Sequence, residues 1–94
     1  MASDVVLEVV AERQAQLAKG FDEGHDDKYD QDELLNAGIC YASNKDETAG
    51  KPVKWPWHYK WWKPANRRRN IIRALALLLA YVESTDRKTG RKDW

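Results

Sequence analysis

The chain has 94 residues, 43% of them hydrophobic and 33% charged, with a formal net charge of +1. This length suits one small domain, and the balanced composition excludes a strongly charged disordered chain. A single cysteine excludes a disulfide framework and a multi-cysteine zinc site, and no apolar run is long enough to span a membrane. The acidic N-terminal stretch does not match a secretory signal peptide, so we expect a soluble cytoplasmic protein.

Charges are segregated along the chain. Residues 1–33 contain ten acids and three bases, whereas residues 51–73 contain eight bases and no acid. The basic block also holds four of the five tryptophans. This segregation predicts either an anionic ligand or the neutralisation of one half of the chain by the other. Binding of a nucleic acid is not expected, because the net charge is far from the basic balance typical of that role.

The first predicted element is a helix from about Asp4 to Lys19. Ser3 is a candidate N-cap, and Asp4 lies in the first turn, where the helix dipole favours an acid. Valine and leucine side chains recur near helical spacing and predict one apolar face. Gly20 is typical of a helix stop, and the glycines and acids of residues 20–29 predict a loop.

A second helix is predicted from Asp30, as N-cap of a capping-box pattern with Glu33, to about Ser43–Asn44. Its expected buried side chains are Leu34, Leu35, Ala37, Ile39 and Tyr41. Residues 44–63 predict a long loop that is rich in tryptophan, because prolines interrupt it and exclude a long regular helix. A loop of this length in a compact domain is often functional.

The third predicted helix begins near Pro64–Asn66 and ends at about Ser84. From Ile71 to Val82 it is apolar on almost every side, which is typical of a helix at the centre of a domain or an oligomer. Two short helices cannot cover it in a monomer, so we expect the chain to self-associate. Residues 85–94 predict a frayed tail, with Trp94 able to dock. The sequence therefore predicts one all-α domain over residues 1–94, with three main helices.

The tryptophans and the arginines that follow them are the principal candidate binding residues. Tryptophan faces stack on nucleobases, and arginine binds phosphate in bidentate fashion. The segment contains Trp55, Trp57, Trp61, Trp62, Lys63, Arg67, Arg68 and Arg69. Three arginines at a helix N-terminus are unfavourable for the helix dipole, so they predict a compensating anion from a ligand or from the acidic half. The alternative for the tryptophans is a hydrophobic cluster that covers the third helix.

The acidic half holds a second set of candidates. Its carboxylates could bind Mg²⁺ and a nucleotide phosphate, as in a metal-dependent hydrolase, and His25 could act as a general base. The acids concerned are Glu12, Asp26, Asp27, Asp30 and Glu33. The alternative is that they pair with the basic half or cap a loop. Because no glycine-rich phosphate loop, nucleophile elbow or zinc spacing is present, we expect neither catalysis nor a resident metal or cofactor.

An ordered series of short motifs resembles a widespread family of small phage and prophage proteins, over about residues 8–87. The motifs are Glu12-Arg13-Gln14, His25-Asp26-Asp27, Cys40-Tyr41-Ala42, Trp55-Pro56-Trp57, Trp62-Lys63-Pro64 and Arg68-Arg69. Small oligomeric phage proteins with Trp/Arg pockets also resemble the anti-defence sponges, among them Sequestin-type proteins, which sequester the nucleotide immune signals of bacterial Thoeris or CBASS systems.

This resemblance implies a cyclic ADP-ribose-like or cyclic-oligonucleotide ligand that is bound in the host cytoplasm without cleavage. It places bases on Trp55, Trp57, Trp61 or Trp62 and phosphates on Lys63, Arg67, Arg68 and Arg69. Arg13 and His25 are further implied contacts.

Two other functions remain open from the sequence. The acidic half is similar to all-α nucleotide pyrophosphohydrolases of the MazG type, which implies a metal-dependent reaction. That family uses paired E-x-x-E acids on one helix, whereas Glu8 and Glu12 are four residues apart and Asn36 replaces the acid expected after Glu33. The third possibility is a protein-interaction module whose Trp-rich loop docks on a host protein.

Overall fold

A computed structural model describes residues 3–18, 32–90 and 94 of the chain. Within these residues there are three α-helices and no β-strand, which confirms the predicted all-α class. Helix α1 spans Asp4–Ala18, α2 spans Glu33–Ser43 and α3 spans Arg67–Thr89. A short 3₁₀ turn covers Tyr59–Trp61 inside the long loop. The predicted stop at Gly20 and the loop over residues 20–29 lie outside the described residues.

Helix α3 is the longest element, and both α1 and α2 pack against it. Its N-cap is Asn66, whose side-chain oxygen accepts a hydrogen bond from the N–H of Arg69 at 2.8 Å. At its other end, Gly90 has φ +69° and donates its N–H to the carbonyl of Asp86 at 2.8 Å. A left-handed glycine is a common helix C-cap. The predicted helix end at Ser84 and the frayed tail are therefore wrong over residues 85–90, because the helix continues through polar residues as far as its glycine cap, whereas residues 91–93 lie outside the described residues.

The hydrophobic core lies between α2, α3 and the Trp-rich loop. It contains Leu34, Ala37, Cys40, Tyr41, Trp55, Trp62, Ala74, Leu77 and Ala80. The two helices approach each other closely at Gly38, where an added Cβ would lie 3.1 Å from Cδ2 of Leu78. Ile39 is 47% exposed, so its predicted burial is wrong. Cys40 and Tyr41 hold the inward positions of that turn instead.

The start of α2 differs from the predicted capping box. The helix begins at Glu33 and its N-cap is Asp32, which has φ 61° and makes no side-chain capping bond. The Asp32 carboxylate instead accepts a hydrogen bond from the Tyr81 hydroxyl at 2.9 Å. This bond raises the pKa of Tyr81. Asp30, the predicted N-cap, lies outside the described residues.

The predicted docking of Trp94 is confirmed. Its indole N–H donates to the Asp86 carboxylate at 2.7 Å, and its ring meets the Tyr81 ring edge to face, with the centroids 5.9 Å apart. Edge-to-face pairs of this kind are a favoured aromatic geometry. The C-terminal residue therefore packs on the side of α3.

Helix α1 turns charged rather than apolar side chains towards the rest of the molecule. Its buried residues are Glu12 and Arg13. The valines and leucines that were expected to form an apolar face lie mostly outward: Val5, Val6, Leu7, Val10 and Leu17 are exposed. Ion pairs therefore form much of the contact between α1 and α3. None of the helices in the described ranges combines the length and apolarity needed to cross a membrane.

Candidate functional site

A pocket of about 330 Å³ lies between α1, α3 and the Trp-rich loop. We call it the aromatic pocket. Its described lining residues are Glu12, Arg13, Gln16, Leu34, Tyr41, Trp55, Trp57, Trp61, Lys63, Arg73 and Leu77. One wall is aromatic and another is charged, which is the combination expected where a small molecule must be both packed and oriented.

The loop that carries the aromatic wall is held in place by indole hydrogen bonds. The Trp55 indole donates to the carbonyl of His58 at 3.2 Å, across the bend at Trp57. The Trp62 indole donates to the carbonyl of Ala49 at 3.0 Å and so joins the two ends of the loop. Buried indole N–H groups generally need such partners, and the hydrogen bonds of Trp55 and Trp62 also fix the local backbone.

Tyr41 connects this loop to α2. Its hydroxyl accepts a hydrogen bond from the backbone N–H of Lys63 at 3.1 Å. The Trp62 ring packs against it in a tilted arrangement with centroids 4.6 Å apart, and the Trp55 ring meets it edge to face at 5.6 Å. Burial raises the pKa of Tyr41, so the hydroxyl stays protonated at neutral pH. Tyr41 therefore fixes Lys63 at the rim of the pocket.

Among the tryptophans of the aromatic wall, one ring is buried and two are accessible. Trp55 is almost fully buried, and Trp57 meets its ring edge to face with centroids 5.3 Å apart. Trp57 is half-buried and Trp61 is 44% exposed. The Lys60 ammonium lies 5.2 Å from the centre of the Trp61 ring. The surface offered to a planar ligand therefore belongs mainly to Trp57 and Trp61.

The charged wall is a network that joins α1 to α3. The buried Glu12 carboxylate lies 3.4 Å from Nε of Arg73 and 3.8 Å from Nη2 of Arg69. Nε of Arg13, also buried, lies 3.8 Å from the exposed Glu83 carboxylate. Buried charges of this kind are tolerated only when they are paired.

Two basic residues, Lys63 and Arg73, meet at one side of the pocket. The Arg73 guanidinium donates a hydrogen bond to the backbone carbonyl of Lys63, so the two residues are in direct contact. The same guanidinium lies 6.0 Å from the centre of the Tyr41 ring. The Lys63 ammonium makes no ion pair with any residue in the described part of the chain. This arrangement can receive an anion.

The three arginines at the start of α3 differ from their predicted position at a ligand. Arg67 donates to the carbonyls of Ala42 and Asn44 at the C-terminal end of α2, the second at 3.0 Å. Arg68 makes a bidentate pair with Glu8, at 2.6 and 3.0 Å, and this hydrogen bonding lowers the pKa of Glu8.

Arg69 reaches the buried Glu12 from the edge of the same network. A cation is favourable at a helix C-terminus and next to a carboxylate, so the protein itself supplies the compensating groups that the three arginines require. None of the three lines the aromatic pocket.

The structure therefore brings together only part of the predicted site. Trp55, Trp57, Trp61, Lys63 and Arg13 line the pocket. Trp62 belongs to the core, as the alternative interpretation of the tryptophans expects. His25 lies outside the described residues.

Four further polar lining residues were not among the predicted ligand contacts: Glu12, Gln16, Tyr41 and Arg73. The sequence could have indicated Arg73 as a site residue, because it is the one charged residue inside the long apolar run of α3. Nothing in the sequence distinguished Tyr41 from the other residues of an apolar helix face.

The acids of the alternative hydrolase site do not meet within the described residues. Glu12 lines the aromatic pocket, whereas Glu33 lines a separate pocket of about 200 Å³ beside Tyr81 and Ser84. Asp26, Asp27 and Asp30 lie outside the described residues. Over residues 3–18, 32–90 and 94, no group of three or more His, Cys, Asp and Glu side chains is arranged to hold a metal ion.

Comparison with known proteins adds no assignment, because no family model, curated protein or solved structure matches the chain.

Proposed function

We propose that the protein binds a small nucleotide-derived ligand in the aromatic pocket and sequesters it without cleaving it. In keeping with the resemblance to anti-defence sponges of phages, the ligand is an immune signal of the cyclic ADP-ribose or cyclic-oligonucleotide kind. The observation that carries the proposal is the contact between Lys63 and Arg73 beside the accessible rings of Trp57 and Trp61. A nucleotide combines the same two features, a flat base and an anionic phosphate.

The aromatic rings supply affinity for the base. Stacking of a base on an aromatic side chain is worth about 1–3 kcal/mol and tolerates any base, because each has a π face. Trp57 and Trp61 are held on a loop fixed by Trp55, Trp62 and Tyr41, so little ordering entropy is lost when a ligand binds.

The cations supply affinity for the phosphate. Hydrogen bonds to charged groups contribute about 1.5–3 kcal/mol each, and Lys63 and Arg73 are adjacent basic residues of the pocket lining. Together with one or two stacked rings, and after the cost of association, such contacts support micromolar to nanomolar binding.

The state of Glu12 supports binding rather than turnover. It is the one carboxylate among the described lining residues, and Arg69 and Arg73 both lie against it. A general base must be free to accept a proton from the reacting group, whereas two guanidiniums already lie against the Glu12 carboxylate. Its role in the proposal is to orient Arg73.

Calorimetry with purified protein tests the proposal. The ligands are cyclic ADP-ribose isomers and cyclic di- and trinucleotides, titrated into the wild type and into Trp61→Ala and Arg73→Met. We expect binding by the wild type and a loss of at least about tenfold, or 1.4 kcal/mol, in each variant.

The matched controls are Trp94→Ala, which removes a similarly exposed ring outside the pocket, and Arg87→Met, which removes an exposed arginine outside it. Both controls should bind as the wild type does. Absence of heat with a folded wild type contradicts the proposal. Recovery of a cleaved nucleotide would favour the hydrolase instead.

A further inference from the structure

The aromatic pocket has room for one nucleotide and not for two. Pockets that bind small ligands span about 300–1,000 Å³, and a volume of about 330 Å³ is near the lower limit of that range. A cyclic dinucleotide contains two bases and two phosphates, and is therefore about twice the size of a mononucleotide. As lined by the described residues, the pocket is too small to enclose such a molecule.

The net charge of the described lining residues and their ion-pair partners matches one phosphate monoester. Arg69, Arg73 and Glu12 form one ion-paired group that retains a single positive charge, and Lys63 adds a second. Arg13 adds no further positive charge to this total, because its ion pair with the Glu83 carboxylate neutralises it. A phosphate monoester carries a charge of about −1.5 to −2 at pH 7, so one such group neutralises this excess.

The two basic residues of the pocket are also adjacent. Arg73 donates to the backbone carbonyl of Lys63, so the two residues meet at one side of the pocket. Trp57 and Trp61 belong to the loop that precedes Lys63 and form the aromatic side. The pocket therefore has one anionic subsite and one stacking subsite.

From these observations we infer that each chain binds one nucleotide unit, consisting of one base and one phosphate held by Lys63 and Arg73. This inference rests on the proposed function and specifies its ligand. The unit is either a free mononucleotide, which would keep the sequestration of a nucleotide but exclude a cyclic signal, or one half of a cyclic signal, which requires two chains for each ligand molecule. The two sources differ in stoichiometry.

Calorimetry distinguishes a free mononucleotide from one half of a cyclic signal. The probes are the four ribonucleosides, their 5′-monophosphates, and cyclic dinucleotides of adenine and guanine, each titrated into the full chain. We expect the unit to bind either as a monophosphate at one per chain or as a cyclic dinucleotide at one per two chains. Where a monophosphate binds, we expect its parent nucleoside to bind at least tenfold more weakly, because it lacks the anionic group.

Lys63→Met tests the anionic subsite directly. It keeps most of the apolar stem but removes the charge, and should reduce the affinity for the phosphorylated probe about tenfold. Lys54→Met, an exposed lysine of the same loop that does not line the pocket, should have no effect. Melting temperatures of both variants establish that they remain folded.

Two results would overturn the inference while leaving the proposed function in place. One is a cyclic dinucleotide bound at one per chain, and the other is a nucleoside that binds as tightly as its monophosphate. Absence of heat from every probe in this panel also overturns the inference. If cyclic ADP-ribose isomers and cyclic trinucleotides give no heat either, the proposed function falls with it.

Discussion

Trp61 and Trp62 are adjacent in the chain but lie in different environments. The Trp62 side chain is 8% exposed and packs against Tyr41 and Trp55 in the core, whereas Trp61 is 44% exposed at the aromatic pocket. The 3₁₀ turn that ends at Trp61 separates them, because the backbone changes direction between the two residues. One residue therefore stabilises the fold, and the other is available to a ligand.

We predict that Trp62→Ala lowers the free energy of unfolding by about 3–5 kcal/mol, the usual cost of removing a buried tryptophan. Urea denaturation followed by circular dichroism measures it. Trp61→Ala is the matched control and should change stability by less than about 1 kcal/mol, because its ring is largely accessible. Equal effects of the two substitutions would contradict the assignment of Trp62 to the core.

Glu12 is the buried acid on which the charged wall depends. We predict that Glu12→Gln destabilises the protein, because it leaves two guanidiniums without their counter-ion. The effect should fall below the about 3–5 kcal/mol of a fully buried pair, since Arg69 and Arg73 both reach solvent. Denaturant titration measures it, with Glu83→Gln, at an exposed acid, as the control. A larger effect of Glu83→Gln would contradict this account.

At the scale of the elements, α1 is held by charges. Glu8, Glu12 and Arg13 all pair with residues of α3, while most of its valines lie outward. Exposed ion pairs are screened by salt, whereas apolar packing is not weakened in this way. The contact between α1 and α3 should therefore respond to solution conditions more than the contact between α2 and α3 does.

We predict that acid and salt loosen α1 first. Hydrogen bonds to Arg68 lower the pKa of Glu8 in the folded state. This ion pair therefore stabilises the folded protein fully above the ordinary pKa of 4.5, and the stabilisation is lost as the pH falls through the lowered pKa. Hydrogen exchange of peptides from α1 and α2 measures this loss. Glu8→Gln should abolish the part of the acid-dependent loss of protection in α1 that comes from this ion pair. Parallel loss of protection in both helices would contradict the prediction.

The N-cap of α3 provides a second test at this scale. Asn66→Ala removes the side-chain acceptor of the Arg69 N–H and should cost about 0.5–2 kcal/mol. Asn66→Asp keeps an acceptor and, as an acid at a helix N-terminus, should preserve most of the stability. Thermal unfolding of the wild type and the two variants measures their order of stability. Greater stability of the alanine variant than of the aspartate variant would contradict the assigned cap.

Sequence reasoning succeeded where one periodic pattern governs the structure. The apolar run of α3 and the apolar positions Leu34, Ala37 and Tyr41 of α2 identified both helices, although the polar end of α3 from Thr85 onward was missed. The site residues were harder to predict, because loop tryptophans have no periodicity that separates core rings from accessible ones. The arginines were also ambiguous, since Arg68 has its carboxylate partner sixty residues away on α1.

At the scale of the whole molecule, several apolar side chains remain outside the core. Leu75, Leu79 and Val82 of α3 are exposed at helical spacing, in addition to the outward residues of α1. Helical spacing places these three on one side of α3, which forms a contiguous apolar stripe. Such stripes are typical of interaction surfaces. Self-association of the chain, expected from the sequence, stays a prediction.

We predict that the protein sediments at a mass above the 10.9 kDa of one chain at micromolar concentration. Leu79→Glu should shift the sedimentation towards the monomer, because it places a charge in the apolar stripe. Val53→Glu, at a fully exposed loop position, is the control and should leave the mass unchanged. Sedimentation of the wild type as a monomer would contradict the prediction.

Native mass spectrometry of the purified protein, mixed with pooled nucleotides and cyclic nucleotide signals, tests the central claim most directly. The account predicts a complex whose added mass equals that of an intact nucleotide ligand, which is released unchanged on denaturation. The complex should be lost in Trp61→Ala and kept in Trp94→Ala. A wild-type protein that retains no nucleotide, or that returns a cleaved one, would contradict the account.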